Sequence, residues 1–395
     1  MTTTVWCRAC ATFLLLGAGC HSGPAPARAL AAGPIVRVPF TVDLGGWTSA
    51  AELVHPAAGG PHGPAPHPLV LLIHGNGPHD MDVTLPGPDG GTKLFLQIAD
   101  VLAARGCAVV RYHKRFVKGP GKFDARFWRE QSTVTFTADA GKVLDAALAL
   151  APCDRQAVFL YGWSEGTAVA AALATQRTDV GGLVLQGPVG LPYRSMVRSW
   201  IEDVGLPYAQ GPEGGPVTAA KLAAAQRGPG GMVARLAASF FADPASQRTG
   251  KLAVSPLLDG NGDGALDPDT EVRPAIDAML DFAFSPQGNC WIYANGRTVP
   301  TATDQAPKLH MPVLILQGEN DASTPRRCGE TLAAALCAAG NPDVTLTVLP
   351  GCGHTLGPAQ SCIDDAGRPP AESTLVPVAD WLALRAARVR TIPPR

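Results

Sequence analysis

The chain has 395 residues, enough to bury one large α/β core with an insertion or two ordinary domains. Its 32 Lys and Arg against 33 Asp and Glu leave a formal charge of -1. No basic block could neutralise a run of phosphates, which excludes nucleic acid as an expected partner.

The first 34 residues read as an export signal and linker. Arg8 precedes a short apolar run, Ala9 to Ala18, followed by Gly19-Cys20 and a Pro/Ala-rich stretch to Pro34. That run is too short to span a bilayer, and no later segment reaches about 18 uninterrupted apolar residues, so no integral membrane domain is expected. Leu16-Gly17-Ala18-Gly19-Cys20 resembles a bacterial lipobox, with Gly17 where Leu is usual, and would put a lipid anchor on Cys20. Cleavage after Ala27, Ala29 or Ala31 is the competing reading. Both place the mature chain in the periplasm, on the cell envelope or outside the cell.

Seven cysteines lie beyond Cys20, and an oxidising compartment would favour disulfides among them. Cys107 and Cys153 each precede a predicted parallel strand and form the first expected pair. Cys328, Cys337, Cys352 and Cys362 are expected to staple the C-terminal segment, with Cys290 left over.

In chain order, Ile35 to Val54 alternate apolar and polar residues around Gly45-Gly46, as a leading antiparallel hairpin does. A Pro/Gly/His loop, His55 to Pro68, follows; its histidines, His55, His62 and His67, have no metal-site spacing and are expected to be solvated. Then apolar strands alternate with helical segments: Leu69 to Ile73 with Thr92 to Arg105, Ala108 to Tyr112 with Ser132 to Leu150, and Val158 to Tyr161 with Ser164 to Gln176. The pattern continues with Gly182 to Gln186, Val313 to Gln317 with Pro325 to Ala339, Val344 to Leu349, and a last helix near Ala371 to Arg388. Short strands, apolar on both faces and alternating with helices, predict a mostly parallel eight-stranded sheet covered on both sides. Residues 189–308 break this rhythm and are too long for a connection, so they are read as a helical cap inserted between core segments 35–188 and 309–395.

Gly162-Trp163-Ser164-Glu165-Gly166 sits where a strand turns into a helix. A strained turn of this kind pushes a serine hydroxyl out of the backbone and aims a helix N-terminus at it. Asp321 follows the strand at Val313, and His354 follows the strand at Val344 in Pro350-Gly351-Cys352-Gly353-His354. Nucleophile, acid and base thus run in the order Ser164, Asp321, His354. Glu319 competes with Asp321 for the acid. The turn His74-Gly75-Asn76-Gly77 is of the type that presents a backbone N–H to an oxyanion; Asn76 is the first donor, Gly77 its alternative, and the N–H of Glu165 the second donor. His74 is expected to pack beneath this turn.

These residues resemble the α/β-hydrolase superfamily, and within it the bacterial esterases and prolyl-oligopeptidase-like serine hydrolases. The likeness rests on Leu69-Val70-Leu71-Leu72-Ile73-His74-Gly75-Asn76-Gly77-Pro78 and Gly106 to Arg115, and covers about Pro68 to Pro188 and Met311 to Trp381. Relatives show Asp-Lys-Arg-Gly where this chain has His113-Lys114-Arg115-Phe116, which implies an altered wall beside the oxyanion turn. The resemblance implies an α/β-hydrolase fold, a small-molecule ester substrate and catalysis without a cofactor. A peptidase of prolyl-oligopeptidase type, an acyltransferase and a non-catalytic binding protein on the same fold are the alternatives.

Inside the cap, Asp259, Asn261, Asp263, the backbone of Ala265, and Asp267 alternate as oxygen ligands do in a calcium loop, with Gly264 at the sharp turn. The twelfth position is Thr270, and Glu271 falls one residue late. The expectation is a structural calcium clip, with an Asp/Gly-rich turn as the alternative.

Overall fold

The computed structural model describes residues 3–6, 31–249 and 251–391. Arg8, Ala9 to Ala18 and Cys20, read above as an export signal, lie outside them. Among the described residues no helix is long and apolar enough to cross a membrane.

Strands β1 (Ile35–Asp43) and β2 (Thr48–Pro56) form the expected hairpin, with Asp43 opposite Thr48 and the chain reversing through Gly45 and Gly46. The remaining strands are β3 (His67–Ile73), β4 (Ala108–Tyr112), β5 (Cys153–Trp163), β6 (Val180–Gln186), β7 (Val313–Gly318) and β8 (Val344–Leu349). Across the sheet the order is β1-β2-β4-β3-β5-β6-β7-β8. Every pair from β4 to β8 is parallel, and the two leading strands are antiparallel. A short strand, Thr3–Trp6, lies antiparallel on the outer edge of β8.

Alternation along the strands sorts the core into two layers. Leu69, Leu71, Val110 and Leu160 pack on one face against helices α2 (Thr133–Leu148), α3 (Gly166–Gln176) and α4 (Arg327–Ala338). Val70, Leu72, Phe159 and Tyr161 pack on the other against α1 (Leu94–Ala103) and α5 (Glu372–Thr391). Each such side chain contributes roughly 1.5–3 kcal/mol by leaving water. Helix α2 starts where Ser132 accepts the Thr135 N–H, leaving one fewer orphan donor in its first turn.

Three expectations are corrected. The first concerns the disulfides: the seven described cysteines are free. Cys153 opposes His67 on β3, while Cys107 precedes β4 on the far side of β3. Two strand spacings, about 9–10 Å, separate the positions, beyond the ~7 Å Cα limit of a disulfide. Their side chains also join opposite core layers. Secondly, the histidine loop is shorter than expected. His55 belongs to β2, and His67 is buried at the start of β3. Thirdly, β5 begins earlier than its apolar run, because Cys153 and Asp154 pair with His67 and Pro68 before an irregularity ahead of Val158.

Between β6 and β7 the chain folds into short helices, among them Tyr193–Ser199, Ala219–Arg227, Met232–Ala238 and Arg273–Ala283. They enclose their own apolar cluster of Val197, Ile201, Leu222, Phe241, Val272, Ile276 and Leu280.

Candidate active site

Strand β5 delivers Ser164 to the carboxyl edge of the sheet, with α3 beginning two residues later. Ser164 adopts φ +56°, a left-handed conformation that costs a serine energy and marks a constrained turn. A Cβ on Gly166 would lie 2.2 Å from the Ile73 carbonyl oxygen, so only glycine lets α3 start against the end of β3. The turn after β3 passes equally close: a Cβ on Gly75 would sit 2.8 Å from that of Ser164.

Asp321 follows β7 and His354 follows β8, the two neighbouring strands. His354 Nδ1 lies 2.8 Å from Asp321 Oδ2, with both side chains buried. Asp321 is held in turn by the N–H groups of Ser323 and Thr324, the Thr324 hydroxyl and the Gln317 amide. Trp163 donates its indole N–H to the His354 carbonyl at 3.3 Å, which sets the imidazole beside the residue preceding Ser164. Nε2 of His354 carries no protein hydrogen bond among the described residues. Burial works against the imidazolium, yet the carboxylates of Asp321 and Asp365 outweigh it and hold His354 above the ordinary histidine range. Glu319, the other candidate, has its carboxylate on the Gly351 N–H and stays exposed, whereas Asp321 meets His354.

The turn after β3 is organised by Lys114. Its buried Nζ donates to the carbonyls of Gly75 at 2.6 Å and Gly77 at 3.2 Å. In a trans peptide the C=O and the following N–H point in opposite directions, so drawing the Gly75 carbonyl inward drives the Asn76 N–H outward. Among the described residues the N–H groups of Asn76, Gly77 and Glu165 have no protein acceptor. Burial lowers the Lys114 pKa to about 8, with the Glu165 carboxylate 3.9 Å away opposing the shift. Burial likewise raises that of Glu165. His74 packs among His79, Phe95 and Tyr112, as expected beneath the turn, and burial keeps it neutral. From the segment between β6 and β7, Tyr293 accepts the Asn76 side-chain amide at 2.8 Å and stacks on Tyr193 at 3.9 Å between ring centroids. Sequence reasoning singles out neither tyrosine, since the cap carries no motif around them. Lys114 is visible there only as part of the altered wall.

The acidic cap loop forms as a turn, with Gly264 at φ +80°. Asp259 accepts the N–H groups of Gly262, Asp263 and Gly264, Asp263 accepts that of Ala265, and Asp267 accepts those of Asp269 and Thr270. Glu271, one position late, closes the loop on the N–H groups of Gly260 and Asp267. Among the described residues no group of three or more His, Cys, Asp or Glu is placed to hold a metal ion. These carboxylates accept hydrogen bonds from the backbone of their own loop.

A serine on a strained strand-to-helix turn, with a carboxylate-oriented histidine on neighbouring loops and free N–H groups opposite, defines the nucleophile-elbow class of α/β hydrolases. A profile described as "Alpha/beta hydrolase family" matches residues 70–365, and the chain belongs to that family. It is 32% identical over 151 residues to "Esterase EstD" of Thermotoga maritima, an alignment that covers 37% of this chain and 34% of that protein. The chain thus spans about a third of the length of that curated relative. Among solved structures, proline iminopeptidase from Mycobacterium smegmatis superposes with a TM-score of 0.51 at 16% identity, covering 89% of this chain and 99% of that one. A proline iminopeptidase-related protein from Thermus thermophilus gives a TM-score of 0.49 at 17% identity, covering 90% and 99%. At such identities the likeness to the mycobacterial enzyme speaks to the fold alone.

Proposed function

We propose that the chain is an exported serine hydrolase acting on small carboxylic esters, with Ser164 as nucleophile, His354 as base and Asp321 as its orienting acid. The observation that carries this reading is the left-handed Ser164 at the head of α3, on the sheet edge where His354 meets Asp321 at 2.8 Å. Ser164 Oγ adds to the ester carbonyl while His354 Nε2 takes its proton. The N–H groups of Asn76 and Glu165 hold the resulting oxyanion. Collapse breaks the C–O bond to the alcohol, which leaves with the proton from His354, and an acyl-Ser164 ester remains. Water, deprotonated by the same histidine, repeats the sequence to release the carboxylate.

Esters are preferred over amides because the curated relative is named an esterase, although it matches over only part of its length. Export rests on Arg8, the apolar run and Cys20. A series of p-nitrophenyl esters of increasing acyl length, run beside aminoacyl-p-nitroanilides, tests the substrate class. Turnover of esters well above that of anilides is expected. The opposite preference would make the chain a peptidase, and turnover of neither would favour a binding protein on this fold.

A further inference from the structure

A buried carboxylate that the mechanism does not use stands behind the His354 and Asp321 loops. Asp365 lies in the segment between β8 and α5 and is buried. Both of its oxygens, at 3.1 Å, accept the backbone N–H of His354, and Oδ2 also accepts that of Ala322 at 3.0 Å. Ala322 is the residue after Asp321. One side chain therefore ties the backbone of the loop after β7 to that of the loop after β8. Gly353 completes the fit, because a Cβ there would lie 2.1 Å from Asp365 Oδ1. The same segment receives the cap: the Gly231 N–H donates to the Ile363 carbonyl at 2.8 Å, where the helix Met232–Ala238 begins.

From this geometry we infer that Asp365 is a positioning residue, which clamps the His354 and Asp321 loops in register and adds negative charge behind the imidazole. The inference rests on the assignment of His354 as base and Asp321 as acid. Two buried N–H groups would lose their acceptor without Asp365, and a displacement of about 1 Å at a reacting group can cost on the order of 10²-fold in rate. The titratable groups that bear on Asp365 are Asp321 and His354, and the Cys362 thiol also feels its charge. The cap offers backbone at Gly231, and the neighbours Asp364 and Arg368 pair with each other. Burial raises the Asp365 pKa to about 6, the nearby Asp321 charge adds to the shift, and His354 opposes it. Above that pH its charge helps keep the imidazolium favourable.

The test compares Asp365→Asn and Asp365→Glu with wild type in ester turnover, in the pH profile of kcat/KM and in the rate of Ser164 labelling by a fluorophosphonate, each normalised to folded protein by near-UV circular dichroism. Asp365→Asn keeps one acceptor oxygen and loses the charge. Its kcat is expected to fall roughly tenfold to a hundredfold with KM little changed. The acid limb should move to lower pH because His354 loses a negative neighbour, and labelling should slow in step with kcat. Asp365→Glu should restore the limb if not the full rate. A lower melting temperature with unchanged kcat and an unmoved limb would overturn the inference, leaving Asp365 a purely structural residue. Wild-type turnover by Ser164→Ala in the same assay would instead overturn the hydrolase reading beneath it. If Asp365→Asn does not fold, Asp365→Glu decides alone: a limb that shifts away from wild type despite the retained charge contradicts the clamp.

Discussion

His354 is the residue whose environment makes the sharpest statement about activity. Burial pushes it toward neutrality, while Asp321 and Asp365 push it harder the other way, so its pKa lies above the ordinary histidine value of 6.5. A general base must be neutral to accept a proton, so kcat/KM should rise with pH through a limb displaced above 6.5. An acid limb well below that value would mean the carboxylates do not bear on the imidazole as drawn. Lys114 carries a second prediction. Lys114→Met removes the donor that turns the Gly75 carbonyl inward and leaves Glu165 buried without its cation. Loss of one oxyanion donor costs about 10²–10³ in kcat, and a misdirected Asn76 N–H should approach the lower end. Removing one partner of a buried pair costs about 3–5 kcal/mol, so the melting temperature should fall as well. Steady-state kinetics and a thermal melt on one sample check both, and an unchanged kcat would release Asn76 from its role.

At the scale of elements, legibility follows periodicity. Val344 to Leu349, β-branched or apolar throughout with two threonines among them, reads as strand β8 and matches it, and α2 starts where Ser132 announces a cap. The start of strand β5 is hidden because Arg155 and Gln156, exposed polar residues, interrupt it. The positions of Ser164, Asp321 and His354 are readable because each follows a strand whose apolar run marks its end. The choice between Glu319 and Asp321 as partner of His354 is harder to read, since both carboxylates are three residues or fewer beyond β7 and only backbone geometry separates them. Asp365 is invisible for a related reason: its contacts are to main-chain N–H groups, which leave no pattern in residue types. The acidic cap loop shows the converse, a ligand-like pattern whose oxygens the backbone takes up. On that geometry the turn supports itself, and a chelator should leave both melting temperature and ester turnover unchanged. A rise in melting temperature on adding calcium, lost in Asp263→Ala, would show instead that the loop is a calcium clip.

For the whole molecule, the export reading has a structural consequence at the sheet edge. Cleavage before Cys20, or after Ala27 to Ala31, would remove Thr3–Trp6 and leave β8 as the edge strand. Mass spectrometry of native protein should find no chain beginning at Met1 or Thr2, and Cys20→Ser should lose membrane-bound protein if lipid is attached. An intact N-terminus would refute export while leaving the chemistry standing. That chemistry joins two separated parts of the chain, the elbow after β5 and the loops after β7 and β8, through a sheet that brings their ends to one edge. The most direct measurement is fluorophosphonate treatment of folded wild type, Ser164→Ala, His354→Ala and Asp321→Asn, with the adduct located by peptide mass spectrometry and ester turnover read in parallel. The account predicts one adduct, on Ser164, in wild type. It predicts no adduct and a turnover loss on the order of 10⁴-fold or more in Ser164→Ala, a similar loss in His354→Ala and a smaller one in Asp321→Asn. An adduct on another residue, or near-wild-type ester hydrolysis by Ser164→Ala, would contradict it.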